Sequence, residues 1–282
     1  MITYILFIVQ GEMEMKISFS TLGCPRWTWK EIIATAADLG FQGVEIRGIG
    51  SDISAPTIPE FTDEKLSNTK SELNRLQLTI PCLNSDCCIH IRNNEKAIEE
   101  ELKAYIHLAQ KLDAPFVRLF ATAPVPHPMG NVDEGYIKER AIILGEYAQK
   151  HQVKLLIETH GVWSESDKLA KLMQSINCEG VGVLWDIHHP YRFFNESPET
   201  TFQALSPWLC HIHIKDGVKT PTGYAYALPG FGDIPIEKTV SVLQAGGYKG
   251  YYSLEWLKRW DNTLEEPGIV FAHYSNYMNS LL

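Results

Sequence analysis

The chain has 282 residues, 45% hydrophobic and 21% charged, enough to bury a large core without covalent staples. Its net charge of −9 argues against the broad basic face that grips nucleic acid. Six cysteines without a CxxC pair suit a reducing compartment rather than a disulfide scaffold.

The chain opens with an apolar run from Met1 to Gln10, too short to span a bilayer. It lacks the basic start and the small-residue cleavage site of a signal peptide. Residues 1–14 therefore read as an extension outside the fold, residues 15–282 as one domain, and the protein as cytoplasmic. A first strand is expected near 16–20, then a helix over Thr28–Leu39 with Ile32, Ile33, Ala36 and Leu39 on one face and Gly40 closing it. A second strand at 43–47 precedes a helix from Thr62 to Leu76, whose first turn carries Asp63 and Glu64 as the helix dipole favours. A third strand (78–83), a helix (Glu95–Leu112), a fourth strand (116–120), a Pro-rich loop (Ala121–Met129) and a helix (Asp133–Lys150) follow. Further strands are expected at 153–158, 181–186, 210–214 and 250–256. Between and after them lie helices near 165–176, 199–206, Ile236–Ala245 and from Leu264 on, with a long Gly- and Pro-rich loop at 217–233. Eight strands alternating with helices predict a parallel sheet closed into a (β/α)8 barrel. A doubly wound fold is disfavoured, because Leu22-Gly23-Cys24-Pro25-Arg26 is not a Gly-rich phosphate turn.

Four of the later strands end in a residue able to hold a metal: Glu158, Asp186, His213 and Glu255, spaced 27 to 42 residues apart. A parallel barrel gathers its strand C-termini at one mouth, so these four can meet. Three carboxylates converging in an apolar setting would repel one another and lose hydration, and one divalent ion removes both penalties. The donor set is mostly hard oxygen. It suits Mn2+ first, with Mg2+, Co2+ and Zn2+ as alternatives. His211, one layer deeper than His213, reads as a structural hydrogen-bonded residue, and Glu45 and Arg47 as a structural pair. Trp185 and Trp256, like Trp27 and Trp163, lie near strand ends, where aromatic faces pack on sugar C–H surfaces or fill the core.

The segments Glu158-Thr159-His160, Asp186-Ile187-His188-His189, His211-Ile212-His213-Ile214-Lys215-Asp216 and Ser253-Leu254-Glu255-Trp256 stand in this order along the chain, after Phe41-Gln42-Gly43-Val44-Glu45-Ile46-Arg47. Together they resemble the sugar phosphate isomerase/epimerase superfamily, the xylose-isomerase-like TIM barrels that include ketose 3-epimerases, hydroxypyruvate isomerase and inosose dehydratase. The resemblance runs from about residue 15 to 260. It implies Glu158, Asp186, His213 and Glu255 as metal ligands, with Glu158 and Glu255 also moving the proton. It implies His189, rather than His188, as a substrate-binding histidine, with His160 and Lys215 facing substrate oxygens. Pro229–Pro235 is similar to the family's Gly-rich positioning loop.

The implied activity is isomerisation or epimerisation of a small sugar, ketose or sugar derivative through a metal-stabilised enediolate. The resemblance also suggests a homo-oligomer. The alternative is a lyase, in which the same enediolate expels a hydroxyl group. A non-catalytic sugar-binding barrel and an abasic-site nuclease rank lower, the latter because Leu228–Asp233 lacks the Asp-x-His pair of that branch.

Overall fold

The computed structural model describes residues 15–123 and 132–281. The expected extension at 1–14 and most of the Pro-rich loop, residues 124–131, lie outside the described residues. The strands are β1 Lys16–Ser20, β2 Gly43–Glu45, β3 Cys82–Cys88, β4 Phe116–Phe120, β5 Lys154–Glu158, β6 Val181–Asp186, β7 Leu209–Ile214, β8 Asp216–Thr220, β9 Gly223–Ala227 and β10 Tyr251–Leu254. The α-helices are α1 Trp29–Asp38, α2 Asp63–Arg75, α3 Glu95–Lys111, α4 Glu134–Lys150, α5 Ser166–Ile176, α6 His188–Phe194, α7 Pro198–Leu205, α8 Ile236–Ala245 and α9 Pro267–Asn279.

Eight strands form one parallel sheet in the order β2-β1-β10-β7-β6-β5-β4-β3. Parallel bridges of Gly43 with Thr79 and Ile46 with Leu83 join its two ends, so the sheet closes into the expected (β/α)8 barrel. Local chemistry sets the helix bounds. Thr28 and Glu31 form a reciprocal capping box at the start of α1. Gly40, at φ +73°, turns the chain out of it in a conformation that favours glycine. At the other end of the chain, α9 lays Phe271 on Phe19 of β1, with ring centroids 4.0 Å apart.

Three elements differ from the sequence expectation. The third strand is Cys82–Cys88 rather than 78–83. Its Asn84 and Ser85 mask it as a strand, yet both are fully buried because each is paired: Asn84 donates to Glu45, and Ser85 Oγ donates to the Arg118 carbonyl at 2.7 Å. The segment after Asp186, to which the sequence pattern assigns no element, forms the short helix α6. The stretch expected as a loop at 217–233 contains the antiparallel hairpin β8–β9.

Glu45 and Arg47 also part company. Glu45 is fully buried and binds His211 Nε2 at 2.5 Å and His213 Nε2 at 2.8 Å. Arg47, past the strand end, donates to the Ile53 carbonyl at 3.2 Å and pairs with Asp86 at the rim. A carboxylate inside the barrel needs donors, and the two imidazoles are within its reach. The structural role expected for His211 is the one its bond to Glu45 gives it.

The hairpin is held by Asp216. Its carboxylate accepts from the backbone N–H groups of Gly217 (2.8 Å), Gly230 (2.9 Å), Gly232 (2.9 Å) and Ile234 (3.2 Å). A Cβ on Gly232 would stand 1.9 Å from Asp216 Oδ1, which explains a glycine there. Gly232→Ala should therefore cost about 1–3 kcal/mol by forcing the loop off Asp216. Urea denaturation together with limited proteolysis between residues 217 and 233 reads this, and unchanged stability and cleavage would show that the carboxylate is not the anchor.

Candidate metal centre and active site

Glu158 ends β5, Asp186 ends β6, His213 lies in β7 and Glu255 follows β10, so each comes from the C-terminal end of a different strand. One ligand atom from each lies within 4.8 Å of the others. All four side chains are buried. His213 Nδ1 stands 3.6 Å from Glu255 Oε1 and 3.9 Å from Glu158 Oε1. Its Nε2 is committed to Glu45, so Nδ1 is the nitrogen turned to the cluster. A carboxylate behind a histidine in this way fixes the tautomer that a metal needs.

The cluster's carboxylates are offset by Lys215, Arg118 and His213, yet Glu158 stays perturbed. Burial pushes the Glu158 carboxyl up to about 7, and Arg118 offsets this only in part. Burial also raises Glu255, but Lys215 and His213 outweigh it and hold that carboxyl below the usual range. Asp186 is held well below the usual range because His189 and Lys215 outweigh its burial. Burial pushes His213 down, yet Glu45 and Glu255 overcome this and hold the imidazole up at about 9. Three buried atoms of the cluster, Glu158 Oε2, Asp186 Oδ2 and His213 Nδ1, have no hydrogen-bond partner, although Asp186 Oδ2 has the Lys215 ammonium as an ion-pair contact. Buried polar atoms are rarely left unpaired. Three carboxylates and one imidazole, with three atoms lacking a hydrogen-bond partner, suit a divalent cation with hard-oxygen preference.

A cavity of about 590 Å3 opens above the cluster. Glu158, Glu255, Lys215, His160 and His189 line it, whereas Asp186 and His213 are fully buried beneath. His189 is fixed by a 2.8 Å bond between its Nδ1 and the Thr159 carbonyl. His188 packs against Tyr224 at 4.7 Å, with burial pushing its imidazole down to about 2. His160 packs edge-on against Phe120 at 5.1 Å and His189 at 4.5 Å. Lys215 is engaged by the cluster: its ammonium lies 2.7 Å from Asp186 Oδ2 and pairs with Glu255 Oε2.

Trp185 and Trp256 are not brought to the cavity. Both are buried among core residues, and Trp256 Nε1 donates to the Glu265 carbonyl at 3.0 Å. Other aromatics stand there instead: Phe120, Phe193, Tyr224, Tyr226 and Trp260. The tyrosines come from β9, where Gly223-Tyr-Ala-Tyr-Ala227 alternates with a period of two, a strand signal masked by the surrounding glycines and prolines. Arg192 ties α6 to this hairpin through the Gly217 carbonyl at 2.9 Å and Asp233. Arg47, expected as the structural partner of Glu45, and Arg118, read only as part of the fourth strand, also line the cavity. A second cavity of about 640 Å3 lies among the N-terminal strand ends, at Lys16, Phe116, Leu209 and Tyr251, and holds none of the four cluster residues.

Among the described residues no helix is long and apolar enough to cross a membrane. No curated protein matches the sequence. Solved structures with the same fold include D-allulose 3-epimerase from Methylomonas sp., at 15% identity and TM-score 0.75, covering 96% of this chain and 99% of that one. The probable 3-DHS dehydratase from Bacillus anthracis matches at 18% identity and TM-score 0.77, covering 94% and 99%. A xylose isomerase-like TIM barrel protein from Mycobacterium smegmatis in complex with magnesium matches at 16% and TM-score 0.72, covering 95% and 96%. At these identities the likeness is one of fold. The family model for the xylose isomerase-like TIM barrel matches residues 33–270, and the chain belongs to that family.

Proposed function

We propose that the protein is a cytoplasmic isomerase or epimerase of a small sugar, ketose or sugar derivative, dependent on one divalent metal ion. The observation that carries this is that two of the four clustered ligands, Glu158 and Glu255, also line the cavity, while Asp186 and His213 are buried beneath it. The six cysteines are all free, in keeping with a reducing compartment. Glu158, Asp186, His213 and Glu255 would hold the ion. When bound, it would supply Lewis-acid polarisation of a substrate carbonyl, with Mn2+ the first choice on donor chemistry.

The residues do the rest. Glu158 and Glu255 face the same space with carboxyl groups pushed in opposite directions, Glu158 up to about 7 and Glu255 down. These are the metal-free environments; with an ion bound, the Glu158 proton is displaced and both carboxylates are ionised and able to accept a proton. Glu158 is suited to take the proton from the carbon next to the carbonyl. Delivery of that proton to the neighbouring carbon, with the hydroxyl proton passing between the two oxygens, gives the isomer; delivery of a proton from Glu255 to the opposite face of the original carbon gives the epimer. Lys215 holds Glu255 and Asp186 in place. His189 and His160 offer neutral nitrogens to substrate oxygens, since burial drives both imidazoles down. Tyr224, Tyr226 and Trp260 supply aromatic walls for a sugar's C–H faces.

Replacing Glu158 or Glu255 with Gln should slow exchange of the substrate's α-proton with deuterated solvent by about 100- to 10,000-fold. A screen of ketoses followed by NMR measures this, and undiminished exchange in both variants contradicts the glutamate assignment.

Metal binding should also be pH-dependent. In the metal-free protein His213 sits at about 9, above its ordinary 6.5, so its protonation stabilises the fold fully below 6.5 and that contribution is lost as pH rises through 9. Glu158, raised from 4.5 to about 7, behaves the same way over the lower window. An ion must displace these protons. The rise in melting temperature on adding Mn2+ should therefore be much larger at pH 8 than at pH 6, with affinity falling about tenfold per pH unit for each proton displaced. Equal shifts at both pH values would contradict the ligand set.

A further inference from the structure

Arg118, in β4, lines the cavity and partly offsets the burial of Glu158, yet most of its guanidinium edge has no partner. Its residue is 2% exposed, and both Nε and Nη1 lack a hydrogen-bond partner. Nη1 lies 3.4 Å from Glu158 Oε2, a charge contact rather than a hydrogen bond. The Phe120 ring covers one face of the guanidinium at 4.1 Å, so acceptors must approach its edge. The other cations lining the cavity are already engaged: Arg47 by Asp86 and the Ile53 carbonyl, Lys215 by Asp186 and Glu255. Beside Arg118, His160 packs on the same Phe120 ring, and its buried Nδ1 also lacks a partner.

A guanidinium buried with idle N–H groups is costly, and an acceptor arriving with the substrate removes that cost. We infer that Arg118, with His160 beside it, forms a carboxylate subsite, and that the substrate is a small acidic sugar derivative of the keto-sugar-acid class rather than a neutral ketose. The planar fork of arginine matches a carboxylate. A phosphate dianion would call for a second idle cation, and the neighbouring Arg47 and Lys215 are spoken for. With Glu158 3.4 Å from Arg118, a carboxylate held there places the adjoining carbons of a small molecule over the glutamate pair. This inference rests on the reading of the cavity as the substrate site.

Calorimetric binding to the Mn2+-loaded protein tests it without turnover. The ligands are 2-keto-D-gluconate, 5-keto-D-gluconate, D-fructose and D-fructose 6-phosphate. At least one keto acid should bind about tenfold or more tighter than D-fructose and tighter than the phosphate. Arg118→Gln should abolish the keto-acid preference, read as the ratio of keto-acid to D-fructose affinity on the same Mn2+-loaded variant, and Arg118→Lys should keep part of it. The inference falls if neither keto acid binds, if D-fructose or its phosphate binds as tightly, or if the advantage survives in Arg118→Gln. Should Arg118→Gln fail to fold, the wild-type ranking and Arg118→Lys decide it. Absence of solvent-proton exchange alongside the predicted ranking would remove the isomerase reading and leave the subsite standing.

Discussion

The architecture of the mouth follows from one constraint: three carboxylates, Glu158, Asp186 and Glu255, are buried with ligand atoms within 4.8 Å of one another and of His213. Like charges so placed cannot all be ionised without a cation among them. The protein meets part of this demand itself. Lys215 lies against Asp186 and Glu255, Arg118 against Glu158, and His213 is held up at about 9 as a proton-bearing cation. Two charged side chains and one proton are a partial remedy, and Glu158 is still pushed up to about 7. A divalent ion would displace that proton and relieve the remaining repulsion in one step.

The layer below explains why the arrangement is rigid. Glu45 receives His211, His213 and Asn84, joining β2, β3 and β7 through one buried carboxylate. That network turns His213 Nδ1 toward the cluster and leaves Nε2 no freedom. Above, the β8–β9 hairpin brings Tyr224 and Tyr226 over the cavity, and Asp216 and Arg192 pin it from two sides. Each backbone N–H that Asp216 gathers from 230–234 belongs to a loop that would otherwise leave those donors unpaired.

Much of this was legible from residue order. Strands that end in a single acid or imidazole announced both the barrel and the cluster, because strand ends are the points a parallel barrel must bring together. Helix bounds such as Ile236–Ala245 followed from apolar period and flanking breakers. What stayed hidden was pairing between distant residues. Glu45 and Arg47 look like mutual partners two positions apart, yet the imidazoles 166 and 168 residues away claim Glu45. Strand β3 was displaced because Asn84, Ser85 and Asp86 carry no apolar signal, and only distant partners allow Asn84 and Ser85 to be buried. Trp185 and Trp256 illustrate the converse: proximity to a strand end does not say which side of the sheet a ring takes.

The central claim concerns the ion. Protein stripped with a chelator and titrated with Mn2+ in a calorimeter near pH 8 should take up one ion per chain, and Asp186→Asn should weaken that uptake at least tenfold. Asp186 is the ligand of choice for this control because it lies beneath the cavity and away from the substrate. Absence of stoichiometric uptake by the folded wild-type protein would contradict the account.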